Sequence, residues 1–182
     1  MSSIHDTGVN SLVRACVGLR RLNLRGCYNV GDMLRIVNPD LKDLSLQACS
    51  PREYRLVPPM LTTLGACVRA FQSTNVSNDT VGHVLGANDL YKLGLRNCPD
   101  VTGITITSHT LRMLDVSVCN ITDEGLRTIC AGCPSLRSLK CELCRKIIRP
   151  VVRSDLLEYL VVSRCVCVPR IGCVEPLQCG WY

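Results

Sequence analysis

The chain is poor in aromatics: its 182 residues include 1 Phe, 1 Trp and 5 Tyr. That suits neither a nucleic-acid binder that stacks bases on rings nor an aromatic-cored β-sandwich. No apolar run approaches the ~18 residues a membrane span needs. No run of five like charges occurs either. The formal charge of +6 is spread along the chain and never forms the basic stripe of a nucleic-acid binder. The opening Met1-Ser2-Ser3-Ile4-His5-Asp6 has no basic patch and no apolar stretch, so no secretory signal is expected. The chain lacks G-x-S-x-G, H-E-x-x-H and a Walker-type loop. His5, His83 and His109 lie far apart, with no Cys–His or Ser–His–Asp pattern around them. These absences predict no enzyme, no cofactor, no nucleic-acid partner and no membrane.

What the chain has in excess is leucine, 25 residues, and cysteine, 14 residues. Without a secretory signal, the cysteines point to a reducing compartment, cytoplasm or nucleus, and to free thiols. Both residues fall into one pattern, L-x-x-L-x-L-x-x-C. It reads Leu19-Leu22-Leu24-Cys27, Leu41-Leu44-Leu46-Cys49, Leu90-Leu93-Leu95-Cys98, Leu111-Leu114-Val116-Cys119, Leu136-Leu139-Cys141-Cys144 and Leu157-Leu160-Val162-Cys165. A degenerate row, Leu61-Leu64-Ala66, sits between the second and third. The row starts, 19, 41, 61, 90, 111, 136 and 157, are 20 to 29 residues apart, the period of a leucine-rich repeat.

Two leucines at period 2 share one face of a short strand, and one such strand cannot bury that face alone. Stacking successive rows builds a continuous leucine core behind a parallel sheet. The expected fold is therefore α/β: a right-handed leucine-rich-repeat solenoid of about seven coils over residues 1–182, with a concave parallel sheet and mixed returns. The cysteine after each strand falls where the chain turns inward, and its small side chain can offer a weak S–H bond to a carbonyl.

Some returns read as helices. Asp123 is the expected N-cap of one, with Leu126, Ile129 and Cys130 along its inner stripe. The same text recurs earlier: Ile4, Asp6, Gly8, Val9, Leu12 and Cys16 match Ile121, Asp123, Gly125, Leu126, Ile129 and Cys133. Val76 to Leu90 is a weaker third copy, with Val81 and Val84 on the inner face. Helices are thus expected before the rows starting at 19, 90 and 136. Val101, Ile104, Ile106 and the prolines at 51, 58, 59, 150 and 169 favour extended returns elsewhere. Residues 67–75 lack clear periodicity, and 166–182 read as an irregular last coil and tail.

The text Ile121-Thr-Asp-Glu-Gly-Leu126, followed by Cys130-Ala-Gly-Cys-Pro-Ser-Leu136 and Leu139, resembles the cysteine-containing repeats of F-box/LRR proteins. The resemblance covers roughly residues 4–165. It implies a repeat array that grips a substrate protein for ubiquitin-dependent degradation. Docking to ubiquitin-ligase components would fall to an F-box outside this chain, which opens inside a repeat at Ile4.

Cys130-x-x-Cys133 and Cys141-x-x-Cys144 offer four thiolates to a zinc ion. Only seven residues separate the pairs, against ~15–20 in a zinc ribbon, and the repeat register places all four as core or turn residues. No metal is expected. The binding candidates are the outward strand positions: Arg21, Asn23 and Arg25; Asp43, with Ser45 and Gln47; Lys92 and Arg96, around Gly94; Met113 and Asp115, with Ser117; Lys140 and Glu142, after Ser138; and Tyr159 and Val161, before Ser163. Apolar Met113, Tyr159 and Val161 on a face turned to solvent, among arginines, suit a protein interface. The expected function is a non-enzymatic protein-interaction module. The alternatives are a structural subunit of a larger assembly and a zinc or redox thiol protein.

Overall fold

The computed structural model describes residues 4–31, 34–47, 70–74, 76–152 and 154–165. Seven short strands form one parallel sheet in chain order. They are β1 (Arg21–Asn23), β2 (Asp43–Leu46), β3 (Ala70–Ser73), β4 (Lys92–Leu95), β5 (Met113–Asp115), β6 (Ser138–Lys140) and β7 (Tyr159–Val161). The register sets Leu22 beside Leu44, Leu93 beside Leu114, and Leu114 beside Leu139, which in turn pairs with Leu160. Leu44, Leu93, Leu114 and Leu139 are at most 2% exposed. Burying one such side chain is worth about 1.5–3 kcal/mol.

Among the described residues three helices close the same core: α1 (Asp6–Ala15), α2 (Asn78–Ala87) and α3 (Asp123–Gly132). They contribute Val9 and Val13, Val81 and Val84, and Leu126 and Ile129 to one cluster with the strand leucines. Each precedes the row expected of it. The return from 101 to 110 contains no helix and buries Val101 and Ile106, while Ile104 faces out. Among the described residues no helix is long and apolar enough to cross a membrane.

The third strand corrects the expected row. Leu61-Leu64-Ala66 lies outside the described residues, as does the 166–182 tail. The place between β2 and β4 belongs to Ala70–Ser73, with Phe71 in register with Leu44 and Leu93. The motif here runs Val68, Phe71, Ser73, Val76, so every leucine and the cysteine are replaced and the pattern is hidden. Ser73 and Val76 are buried all the same, at 0% and 1% exposure.

The helix starts also differ from expectation. The N-cap of α3 is Thr122, whose hydroxyl accepts from Gly125 N–H at 3.0 Å, and Ser77 does the same for α2 through Thr80 N–H. Asp123 is the first helical residue, and its carboxylate reaches forward to accept from Ile148 and Arg149 N–H at 3.0 and 3.1 Å. Asn78 bonds Thr102 N–H and Asp6 bonds Gly31 N–H in the same manner. A residue that caps its own helix in most proteins here ties one unit, a strand with its return, to the next. Leu12, matched in sequence to Ile129, is 46% exposed while Ile129 is 0%. Cys16 is likewise exposed while Cys133 is buried. The difference is in the neighbour: Cys133 S–H donates back to the Ile106 carbonyl of the preceding unit, and no described unit precedes α1.

After β1, β4, β5, β6 and β7 the chain turns through a left-handed residue immediately before the cysteine position: Gly26, Asn97, Val118, Leu143 and Arg164, with φ between 52° and 76°. Only glycine, and to a lesser degree Asn, enters this region without strain. Hydrogen bonds to both neighbouring units hold the turn. Gly26, Asn97, Val118 and Leu143 N–H donate forward to the carbonyls of Gln47, Ser117, Glu142 and Ser163. The following cysteines point backward. Cys119 S–H donates to Leu95 at 2.7 Å, Cys144 to Val116 at 3.2 Å and Cys165 to Cys141 at 3.0 Å.

Candidate functional site

The alternation that buries the leucines turns the intervening side chains to the other face of the sheet. Arg21, Asn23 and Arg25 are exposed on the first unit. Asp43, Lys92, Asp115, Lys140, Glu142 and Val161 are half-buried, while Arg96, Met113 and Tyr159 are exposed, the last two at 42% and 45%. All twelve candidate residues therefore sit on one open face spanning β1 to β7.

Among the described residues this face carries two shallow depressions. One, of about 260 Å³, lies between Arg21, Asn23, Arg25, Asp43, Ser45 and Gln47. The other, of about 210 Å³, is bounded by Lys92, Met113, Asp115, Ser138 and Lys140, with Gly94 as part of its floor. Gly94 is buried although it occupies an outward position, because its neighbours rise above it and it has no side chain to fill the gap.

Charges on this face are organised across strands. Arg96 faces Asp115 of the next unit at 3.5 Å and Glu142 of the one after at 3.8 Å. The Lys140 ammonium lies 5.7 Å from the centre of the Tyr159 ring, within cation–π range. Five cations, Arg21, Arg25, Lys92, Arg96 and Lys140, stand against three anions, Asp43, Asp115 and Glu142.

Ser117 departs from its expected role. It is fully buried, its hydroxyl accepts from Glu142 N–H at 3.2 Å, and its own N–H donates to Asp115 Oδ1 at 3.0 Å. At that position the chain is already turning inward, so the side chain bridges two units instead of meeting solvent. Sequence reasoning also passed over the rim. Tyr91, 45% exposed, immediately precedes Lys92, and Arg137 pairs with Glu158 one unit on. Their common register, one residue after the first leucine of each row, is the signal that identifies them.

None of the nine described cysteines is part of a disulfide, and no three His, Cys, Asp or Glu side chains among the described residues are placed to hold one ion. Cys133 and Cys144 are directed to separate carbonyls, of Ile106 and Val116. Burial pushes the Cys133 thiol up to about 11 and raises Cys141. Cys119 is raised by its hydrogen bond with the Cys98 thiol, then by burial. Cys144 is lowered, because the Cys165 S–H can donate to it. Cys49, Cys67, Cys167, Cys173 and Cys179 lie outside the described residues.

A family model described as Leucine Rich repeat matches residues 107–130, which run from the end of one return through β5 and the Cys119 turn into α3. No curated protein matches the chain. The chain thus carries leucine-rich-repeat character.

Proposed function

We propose that the chain is a non-enzymatic protein-interaction module, a leucine-rich-repeat solenoid whose open sheet face grips a protein partner. The observation that carries this reading is the placement of exposed Met113 and Tyr159 among Lys92, Arg96 and Lys140 on one face. Apolar anchors ringed by charged groups are how protein interfaces concentrate their affinity. The cationic excess adds steering toward an acidic segment, with binding that weakens as salt is raised. By the resemblance of residues 121–139 to F-box/LRR repeats, the process we propose is substrate recognition for ubiquitin-dependent degradation. Affinity purification with the wild-type chain and with Tyr159→Ala, Arg96→Ala and Lys140→Ala tests the face. The variants should lose the specific partners without losing the fold, and undiminished recovery in all three would reject it.

A second reading rests on a different surface. Ile4, Leu12 and Val17 are 46%, 46% and 70% exposed on the α1 side, where an inner unit would be covered by its predecessor. On this reading the chain is a structural subunit that packs this side against another polypeptide. Sedimentation across a concentration series separates the two: self-association lost on Leu12→Lys supports the second, and a monomer at every concentration removes self-packing.

A further inference from the structure

The turn cysteines that follow β4 to β7, Cys98, Cys119, Cys144 and Cys165, stand at one register in four successive units, so that Cys98 neighbours Cys119 and Cys144 neighbours Cys165. The pairs share the same register: each cysteine follows a left-handed residue after a strand, and those strands are hydrogen-bonded neighbours. Parallel neighbours lie about 4.8 Å apart, inside the Cα separation of about 4.4–6.8 Å that a disulfide spans. The pairs differ in access. Cys98 and Cys119 are 0% and 3% exposed, whereas Cys144 is sealed and Cys165 is half-buried and reachable.

We propose that Cys144 and Cys165 are a reversible thiol–disulfide site, in which Cys165 is the entry thiol and Cys144 the resolving thiol, with a low-molecular-weight disulfide such as oxidised glutathione as the oxidant. The Cys165 thiolate attacks one sulfur of the oxidant, forming a mixed disulfide and expelling one thiolate. The Cys144 thiolate then attacks Cys165 Sγ and expels the second. Two protein thiols are oxidised to one disulfide, one small disulfide is reduced to two thiols, and the two protons that leave the protein end on the released thiols. The bond would tie β6 to β7 at their exits, fixing the unit that carries Tyr159 against the unit that carries Lys140.

The full chain, incubated natively with oxidised glutathione, alkylated and digested, gives the test by peptide mapping with fragmentation. The expected product is a Cys144–Cys165 crosslink, formed at least about tenfold faster than any product at Cys98 or Cys119. In Cys144→Ser, Cys165 should instead accumulate as the glutathione mixed disulfide. Wild-type Cys165 that stays reduced, stops at the mixed disulfide, or pairs with Cys141 or Cys167 overturns the proposal. So does a Cys98–Cys119 bond of equal yield, because access would then not select the pair. The wild-type map decides the question even if the serine variant fails to fold.

Discussion

Val118 holds a left-handed backbone, φ 61°, and donates its N–H to the Glu142 carbonyl of the next unit at 2.7 Å. A β-branched residue in this region is strained, and the bond to the neighbouring unit is what keeps it there. Asn97 occupies the same register with φ 57° and a side chain that tolerates it better. Val118→Asn should therefore stabilise the chain by about 1 kcal/mol. The valine is 38% exposed, so little packing is lost. A urea midpoint that stays constant or falls at unchanged m-value would show that the turn carries no such strain.

Gly8 and Gly125 occupy matched positions in α1 and α3, yet their surroundings are opposite. A Cβ on Gly125 would come within 1.8 Å of the Thr102 carbonyl oxygen, with Gly103 behind it at 3.2 Å; nothing lies within 4 Å of one on Gly8. Gly125→Ala forces two backbones apart and should cost about 3 kcal/mol or more. Gly8→Ala should be neutral or stabilising by up to about 1 kcal/mol, as alanine is in a helix. Thermal melts of the two variants check this, and equal shifts would show that α3 does not rest on the 102–103 backbone.

That contrast marks how much of the fold could be read in advance. The period-2 leucines named the buried face of six strands, and the text around Leu126 located three helices, because both depend on side-chain periodicity within one unit. Relations between units were harder to read. Asp123 looks like a cap in its own helix and instead bonds the backbone at 148 and 149. Leu12 and Ile129 carry the same local signal and differ in exposure because only one has a described unit before it. The strand at Ala70–Ser73 was hidden because a valine, a phenylalanine and a serine stand where leucines mark the other rows. On the candidate face, alternation gave the outward positions, but not the Arg96 link across Asp115 to Glu142, which depends on side-chain reach between strands.

Ser117 gives a prediction opposite to the one its strand alternation suggests. Its hydroxyl is buried and accepts from Glu142 N–H. Ser117→Ala leaves that N–H without this partner and should cost about 1–2 kcal/mol. Leu114→Ala, at the centre of the stack and 2% exposed, should cost about 2–5 kcal/mol. Arg96→Ala, which breaks exposed ion pairs only, should cost less than about 1 kcal/mol. Denaturant unfolding should show the largest loss for Leu114→Ala, a smaller one for Ser117→Ala and the smallest for Arg96→Ala, and a serine variant as stable as wild type would mean the bridge between units contributes nothing.

The buried thiols make the fold sensitive to alkali. In the unfolded chain a cysteine ionises near its ordinary value, whereas the folded chain keeps Cys133 protonated up to about 11 and raises Cys119 and Cys141 in the same direction. Between those limits the folded state holds more protons than the unfolded one, so stability falls as pH rises. The contribution is complete below the unfolded value and is lost as pH climbs through the folded one. Cys144, lowered by Cys165, has the opposite sign and adds stability above its folded value, but one group stands against three. The urea midpoint should be flat from about pH 6 to 8 and fall between about 9 and 11. A raised thiol of two units accounts for ~3 kcal/mol at full ionisation. Tyrosine and lysine also titrate in this window, so the diagnostic comparison is Cys133→Ala, which should be less stable at pH 7 and lose less on going to pH 10.5. If the variant and the wild type decline in parallel, Cys133 is not held protonated by the core.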